Sequence, residues 1–413
     1  MSDTVQRAEV GDAPAELAAF LANPGLFPDP YPLFRRIRDV EPVHWSEVGT
    51  WVVLGHPEAR EVFKDQTFSR RASAEDVVRR FTIDDANDQE AIDTHLAQFV
   101  HMDDPDHARV RSLVAHAFTP KAIRTWESLI VKAVDDLVDE LEGRDEFDVL
   151  HDFGKLLPSR VICQMLSLPH EDHALFEDWT NGWLSTNVSD PRADVSAAVA
   201  PLRAFHDYLN DLVSERRRST DRGDNLVNLL IDAEEDGHRL SQREVIASLM
   251  LLIIGGHETT ANLIANGSLA LLRNRDQLQL LRDQPDLQVS AVEEFLRYDG
   301  TARSQPRLAL TDVSIGDVTI REGDRVQVIV GAGNRDPRVY DRPDELDVTR
   351  VNNGHLGFGA GAHFCLGVHV ARLESRHAID AIARRVGDLE LNGDIVWRNA
   401  HVRALTALPV RRA

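Results

Sequence analysis

The residues with the clearest chemical potential lie in a short stretch near the C-terminal end, where a cysteine follows two closely spaced glycines. The stretch reads Phe358-Gly359-Ala360-Gly361-Ala362-His363-Phe364-Cys365-Leu366-Gly367. Glycines lack a Cβ and let the backbone approach a flat ligand closely. Cys365 precedes a predicted helix, whose first N–H groups and dipole favour a thiolate over a thiol. A thiolate is the ligand with which a haem iron promotes O–O bond cleavage.

Two other interpretations of this stretch were weighed against that chemistry. A lone cysteine is more often a small buried side chain, and this structural interpretation suits Cys163 inside an apolar helical run. It does not suit Cys365, because two glycines and a histidine closely precede it and a glycine follows two residues later. The glycine spacing also fails the dinucleotide-binding fingerprint, since Phe364 occupies the position of the third glycine. We therefore exclude a dinucleotide-binding loop.

A second stretch combines two glycines with an acid and a hydroxyl, deep in a long apolar helix predicted over 242–273. It reads Gly255-Gly256-His257-Glu258-Thr259-Thr260. Each glycine inside a helix costs about 1 kcal/mol relative to alanine, so the pair needs a reason. Missing side chains would admit a small molecule beside Glu258 and Thr259, which could handle protons. The alternatives are a plain core helix and a zinc protease, and the second fails because Ala261 replaces the required histidine.

Two further pairs of polar residues have helical spacing. Glu294 and Arg297 are three residues apart, so a carboxylate and a guanidinium share one helix face. An exposed pair of this kind would contribute little stability. His107 and Arg111 are four residues apart, and two donor groups on one face could bind a pair of carboxylates. For each of these residues a solvated surface position is the simpler alternative.

These four motifs, in their order along the chain, resemble those of cytochromes P450. The stretch around Cys365 matches the haem-binding signature of that family at its phenylalanine, both glycines, histidine, cysteine and final glycine. The resemblance extends from about residue 30 to the end of the sequence. It implies an N-terminal extension over 1–29 and a single haem domain over 30–413. It also implies the family's mainly α fold with small β-sheets.

The resemblance assigns a role to each motif. It makes Cys365 the axial ligand to the iron of haem b, and it gives Glu258 and Thr259 a part in activating O2. The residues expected to bind the haem propionates are His107, Arg111, Arg307 and His363. The other residues expected at the haem are Gly256, Phe358, Gly359 and Gly361. The residues expected to form a buried structural network are Glu294, Arg297 and the tetrapeptide Asn334-Arg335-Asp336-Pro337.

The activity that the resemblance implies is a monooxygenase reaction, in which one atom of O2 enters an organic small molecule by hydroxylation or epoxidation. Electrons would come from a ferredoxin and a ferredoxin reductase, docking at a basic surface that contains Arg109 and Arg372. The alternative is that both arginines form only local ion pairs. A haem sensor or a peroxide-driven relative is the competing function, and the pair Glu258 and Thr259 favours the monooxygenase because a sensor needs no proton relay.

The segments expected to contact the substrate, by family analogy, are 71–99, 176–196, 251–254, 301–305 and the turn near Trp397. Two positions depart from the usual family pattern. Thr301 stands where a proline is usual, and Gly255 stands where an alanine is commoner. The first departure leaves the path of the segment after Arg297 open at this point.

The composition bears on the binding partners and on the cellular compartment that we expect. The chain has 46 Lys and Arg against 68 Asp and Glu, a net charge of −22, which argues against a nucleic-acid or anionic-membrane partner. Two cysteines suit a reducing compartment, so we expect a cytoplasmic protein. The sequence has no visible export signal, and its longest apolar run is too short to span a bilayer.

The elements that must position these residues follow from periodicity and from turn residues. We predict strands over 43–45 and 51–54, a helix over 56–64, and a mobile loop with one short helix over 71–99. Longer helices are predicted from Thr119 to about Gly143 and over 157–168, 195–218 and 242–273. A second hairpin is predicted from 318–320 and 325–330. An irregular segment over 331–363 then precedes a final helix.

Overall fold

A computed structural model describes residues 12–169, 172, 175–176, 178–180, 195–220, 223, 225–235, 237–351, 353–398 and 402–413. Helices dominate these residues. They are α1 (Ala13–Ala22), α2 (Tyr31–Arg38), α3 (His56–Lys64), α4 (Arg71–Val78), α5 (Ala86–Leu96), α6 (Asp106–Ala115), α7 (Pro120–Glu140), α8 (Leu156–Leu166), α9 (Val199–Arg218), α10 (Leu226–Asp232), α11 (Gln242–Arg273), α12 (Arg275–Asp283), α13 (Gln288–Asp299), α14 (Val330–Gly333) and α15 (Val368–Arg384). Together with small sheets they confirm the predicted mainly α fold.

The strands are short. They are β1 (Val43–Ser46), β2 (Thr50–Val53), β3 (Phe68–Ser69), β4 (Glu146–Asp148), β5 (Glu234–Glu235), β6 (His238–Arg239), β7 (Ser304–Ala309), β8 (Val313–Ile315), β9 (Val318–Ile320), β10 (Arg325–Ile329), β11 (Leu389–Leu391) and β12 (Pro409–Arg412). A five-stranded sheet has the order β1-β2-β10-β7-β3, in which only the pair β2 and β10 is parallel. A three-stranded sheet, β11-β12-β4, and two hairpins complete the strands of the described residues.

The predicted hairpin of 318–320 with 325–330 is wrong. β9 pairs instead with β8, which the sequence analysis did not identify, across a turn in which Gly316 has φ +57°. β10 lies in the middle of the five-stranded sheet, with Val326, Val328 and Ile329 buried. A strand that is buried in this way needs hydrogen-bonding neighbours on both edges, and β2 and β7 supply them.

The prediction for residues 71–99 is also wrong, because α4 and α5 occupy most of this segment. Asp85 caps α5 by accepting hydrogen bonds from the backbone N–H groups of Asn87 and Asp88, at 2.8 and 3.0 Å. Four acidic residues of this segment, Asp85, Asp88, Glu90 and Asp93, are paired with arginines of other helices. Arg203 of α9, for example, donates to Asp85 at 3.0 Å. Charge in this segment therefore fixes helices against one another.

Helix α11 organises the core and begins and ends where the sequence predicted. Its start is a capping box, in which Ser241 Oγ accepts the N–H of Glu244 at 3.2 Å and the Glu244 carboxylate accepts the N–H of Ser241 at 2.8 Å. It packs against α8, α9, α13 and α15, and most of its residues are buried. Within the described residues, no helix is long and apolar enough to cross a membrane.

Several other boundaries agree with prediction within a few residues. Helix α3 matches the predicted range, and α8 and β2 are shifted by one or two residues. The helix predicted over 195–218 consists of a single 3-10 turn, Ser196–Ala198, followed by α9. The segment over 331–363 begins with the short helix α14 and is otherwise largely irregular, as predicted.

Candidate functional site

A cavity of about 330 Å³ lies between the middle of α11 and the segment that leads into α15. Gly255, Gly256 and Thr259 line it from α11, and His363 and Cys365 line it from the other segment. Phe358 and Gly359 contribute to the same wall. The fold thus brings the two most informative motifs, distant in the sequence, to one site.

The backbone around Cys365 explains the glycines of this stretch. The N–H of Cys365 donates to the carbonyl of Phe358 at 2.9 Å, which closes the chain into a tight loop. Gly359 and Gly361 have φ of +74° and +71°, in the left-handed region that favours glycine. A Cβ at Gly361 would also overlap the carbonyl oxygen of Phe63. The loop therefore requires these two glycines for steric reasons.

Cys365 lies three residues before α15 rather than at its first turn. Burial raises the pKa of its thiol above the ordinary value, while the N–H of Gly367 and the guanidiniums of Arg111 and Arg372 lower it. The N–H of Gly367 thus favours the thiolate, as expected for this end of the helix, but burial outweighs this effect in the polypeptide. A metal cation at the sulfur reverses this balance, since a coordinating thiol loses its proton.

The middle of α11 presents a hydroxyl to the cavity. Thr259 Oγ1 donates to the carbonyl of Gly255 at 2.6 Å, within the same helix. The helix is continuous past both glycines. An added Cβ at Gly255 would meet no atom within 4 Å, so the missing side chain leaves open space at the cavity wall.

Glu258 lies on a different side of α11 and does not line the cavity. Its carboxylate is 1% exposed and accepts from Arg398 Nη1 at 2.5 Å and from Asn262 Nδ2 at 3.1 Å. The sequence analysis missed Arg398 as the partner of Glu258. The signal available was its position beside Trp397, in a turn already expected near the substrate.

The four residues expected at the propionates form one cluster. Arg111, Arg307 and His363 line the cavity, and the rings of His107 and His363 lie 4.2 Å apart, centroid to centroid. Arg111 Nη2 donates to the carbonyl of Phe364 at 2.5 Å, and Arg307 Nη1 donates to the carbonyl of Pro306 at 2.8 Å. Burial, together with these neighbouring cations, lowers the pKa of His363 to about 2.

Three observations test whether these residues suit a flat iron-containing ligand with carboxylate arms. Cys365 offers a soft sulfur ligand for iron. Arg307 is buried, and within the described residues no carboxylate lies within 4.0 Å of its guanidinium. His107 Nε2 is buried without a hydrogen-bond partner in the same part of the chain. Unmatched buried donors beside a sulfur ligand fit a haem with its propionates.

Glu294 and Arg297 form a fully buried bidentate ion pair, with N–O distances of 2.8 and 2.7 Å. Arg297 also donates to the carbonyls of Asn334, Pro343 and Glu345. Glu294 in turn accepts the N–H of Asp347 at 2.9 Å. The pair thereby ties α13 to the irregular segment that leads to Cys365.

The comparisons with known proteins agree on one family. Its model, Cytochrome P450, matches residues 196–385. Polyketide biosynthesis cytochrome P450 PksS of Bacillus subtilis (strain 168) is 35% identical over 92% of this chain and 95% of its own. Cytochrome P450 monooxygenase PikC of Streptomyces venezuelae is 36% identical over 93% and 91%. The crystal structure of CalO2 superposes with a TM-score of 0.85 and 33% identity over 93% and 96%.

The chain belongs to the cytochrome P450 family. It is a cytochrome P450 monooxygenase, an oxidoreductase. The family uses haem and O2, takes electrons from redox partners and acts on small organic molecules.

In this cytochrome P450 the predicted docking arginines are engaged in local ion pairs. Arg109 points away from the cavity, as expected, but its guanidinium pairs with Glu244 at the start of α11. Arg372 pairs with Glu293, with both N–O distances 2.7 Å. The prediction that these two arginines are available to an acidic partner is corrected to the alternative that was left open. Each already has a carboxylate.

The segments expected to contact the substrate are only partly described. Three of the predicted segments contribute to the cavity, through Phe99, Leu251, Leu252, Thr301 and Gln305. Most of the predicted segment 176–196 lies outside the described residues, as do residues 399–401 after Trp397 and Arg398.

Proposed function

We propose that this cytochrome P450 binds haem b and inserts one atom of O2 into an apolar small molecule, by hydroxylation or epoxidation. The observation that carries the proposal is one cavity lined by Cys365, by Thr259 and by the hydrogen-bond donors Arg111, Arg307 and His363. A sulfur ligand, a proton-handling hydroxyl and carboxylate-binding groups are the three elements that haem-dependent oxygen chemistry requires.

Cys365 would be the protein ligand to the haem iron. When bound, the haem supplies the iron at which O2 is activated. His107, Arg111, Arg307 and His363 would hold its propionates, and the buried Arg307 guanidinium would thereby gain the carboxylate contact that the described polypeptide does not give it. The backbone bond between Cys365 and Phe358 fixes the loop from which the sulfur projects.

Protons reach the reacting oxygen, in our proposal, through Glu258 and Thr259. Thr259 Oγ1 faces the cavity and can turn its hydroxyl hydrogen away from the Gly255 carbonyl. Glu258 must first leave Arg398 and Asn262, because its carboxylate points away from the cavity. Once released, the Glu258 carboxylate can take a proton from water and pass it on, so the exchange of these contacts controls when a proton is delivered.

Apolar side chains from several elements form most of the remaining cavity wall. They include Phe99, Ile162, Met165, Leu251 and Leu252. Burial of apolar surface against this wall favours an apolar substrate, at roughly 25 cal/mol for each Å² removed from water. The names of the relatives refer to a polyketide pathway in one case, which is compatible with such a substrate.

The electron donor proposed for this chain is a ferredoxin with its reductase, in a reducing cytoplasm where both cysteines stay free. The family resemblance supports this choice of donor. Arg109 and Arg372 would contribute only if they exchanged their present carboxylate partners for those of the ferredoxin.

The test begins with a screen of apolar compounds against the purified haem protein, followed by the Soret shift that accompanies displacement of a water ligand. Compounds that bind are then incubated with ferredoxin, reductase, reduced nicotinamide cofactor and 18O2. We expect one labelled oxygen atom in the product. Product labelled from water, or product formed with peroxide but never with the electron donors, would overturn the monooxygenase assignment.

A further inference from the structure

Arg70 is a buried cation to which the proposed function gives no role. It follows β3 and immediately precedes α4, and it lines the same cavity as Cys365 and Arg307. Its side chain is almost fully buried, with 5% of the residue exposed. A buried charge is strongly unfavourable unless an opposite charge or a full set of hydrogen bonds compensates it.

The contacts of the Arg70 guanidinium are incomplete. Nε donates to the carbonyl of Val100 at 3.0 Å, and Nη1 donates to the carbonyl of Pro306 at 2.9 Å. Within the described residues Nη2 makes no hydrogen bond, and no carboxylate oxygen lies within 4.0 Å of the guanidinium. Asp103 directs one oxygen to the backbone N–H of Arg70 and the other to the hydroxyl of Ser69. The guanidinium therefore has no carboxylate in direct contact, and burial lowers the pKa of Arg70 to about 10, an effect that the nearby charge of Asp103 only partly offsets.

Arg307 is a second buried cation with no carboxylate in direct contact among the described residues. Burial first, and then the charge of Arg70, lower the pKa of the nearby Arg307 guanidinium well below its ordinary value. Arg70, Arg307 and His363 all line the same cavity. Like charges gathered in a buried site stabilise an anion placed among them. The two carbonyl contacts hold the Arg70 side chain in place at the cavity wall.

We propose that Arg70 binds a propionate carboxylate of the haem together with Arg307, as a fifth member of the cluster formed by His107, Arg111, Arg307 and His363. This inference rests on the proposed haem site. It makes the cofactor a link between three chain segments, because Arg70 also holds Val100 and Pro306 through their carbonyls. The start of α4 is thereby anchored to the haem edge.

Haem release tests the proposal with a readout that does not depend on turnover. The ferric proteins are mixed with excess apomyoglobin, and haem transfer is followed in the Soret band. We expect Arg70→Gln to release haem about tenfold faster than wild type, the effect of losing one charge-assisted hydrogen bond. Arg70→Lys should recover part of the loss because it retains the charge. Arg71→Gln is the matched control, since Arg71 is exposed and pairs with Asp106.

A merely structural role for Arg70 would also loosen the site, so the carboxylate is removed next. Wild type and Arg70→Gln are reconstituted with protohaem or with its dimethyl ester. If Arg70 acts on a propionate, the tenfold difference in release rate disappears with the ester. If the same difference persists with the ester, Arg70 acts only through its carbonyl contacts and the proposal is overturned. In parallel, loss of the cation should make the ferric/ferrous potential more negative, because ferric haem carries more positive charge.

A third experiment tests whether Arg70 binds the carboxylate of a substrate instead of a haem propionate. Binding of dodecanoic acid and of its methyl ester is measured by the Soret shift. Unchanged haem release, combined with a loss of affinity for the acid alone in Arg70→Gln, would overturn the haem assignment. A wild-type protein that shows no thiolate-ligated haem would refute the proposed function itself, whereas a normal wild type with an unaltered Arg70→Gln refutes only this inference.

Discussion

The segment that carries Cys365 and the part of α11 that carries Glu258 contribute to one site but are held by different kinds of contact. The Cys365 loop is fixed by a backbone hydrogen bond, by two left-handed glycines and by the buried pair of Glu294 and Arg297. Glu258 is held by side chains alone, those of Arg398 and Asn262. Backbone contacts keep a metal ligand still, whereas a side-chain ion pair can open and close. The difference suits the tasks that we propose, iron ligation by Cys365 and proton delivery by Glu258.

The largest effect is expected from removing the buried ion pair that supports the Cys365 loop. Arg297→Ala removes the bidentate partner of the buried Glu294 carboxylate, which then keeps only the single ion-pair contact with Arg350 among the described residues, and it should cost about 3 kcal/mol of unfolding free energy. The loop then loses its support, so the haem-loaded fraction should fall as well. Chemical denaturation and the ratio of Soret to protein absorbance measure both. Arg342→Ala, which removes an exposed pair with Glu345, should change neither by more than about 1 kcal/mol.

The proposed proton path on α11 is tested by Thr259→Ala. We expect haem and substrate binding to persist, while product formed per electron falls by about a hundredfold, the lower range of acid–base contributions. The missing electrons should appear as peroxide or water. Thr259→Ser keeps the hydroxyl and should restore most of the product. Coupling that stays at the wild-type value in Thr259→Ala would remove this hydroxyl from the proton path.

A comparison of two glycines sharpens the account of the fixed loop. Gly361 and Gly323 both have positive φ, but only Gly361 faces a backbone oxygen, that of Phe63. Gly323→Ala should lower the unfolding free energy by about 1 kcal/mol through backbone strain. Gly361→Ala should lower it by about 2–3 kcal/mol and should also release haem faster. Thermal unfolding of both variants decides the matter. Equal losses would mean that the loop tolerates displacement from α3.

The smallest effect is expected from removing the contact between Arg398 and Glu258. Arg398→Ala removes the cation from Glu258, and we expect product per electron to fall a few fold while the Soret spectrum stays unchanged. Arg398→Lys should retain most of the coupling because it keeps a cation there. An unaltered coupling in both variants would show that Arg398 only stabilises the helix, and then only the unfolding free energy should change.

The sequence predicted those parts of the site whose signal is local. Cys365 with its glycines, the polar pair on α11 and the spacing of His107 and Arg111 all lie within single elements. Arg70 and Arg398 were missed because their meaning depends on contacts with residues far away in the chain, which spacing does not reveal. The pairing of β9 with β8 was missed for a related reason, since β10 alternates too little to show that it lies centrally in a larger sheet.

The measurement that tests the central claim most directly is the spectrum of the reduced protein under carbon monoxide. Thiolate ligation by Cys365 predicts the strongly red-shifted Soret band of a haem-thiolate protein. Cys365→His should abolish this band, and Cys163→Ser should leave it unchanged because that thiol is buried away from the cavity. A wild-type band like that of a histidine-ligated globin would contradict the account.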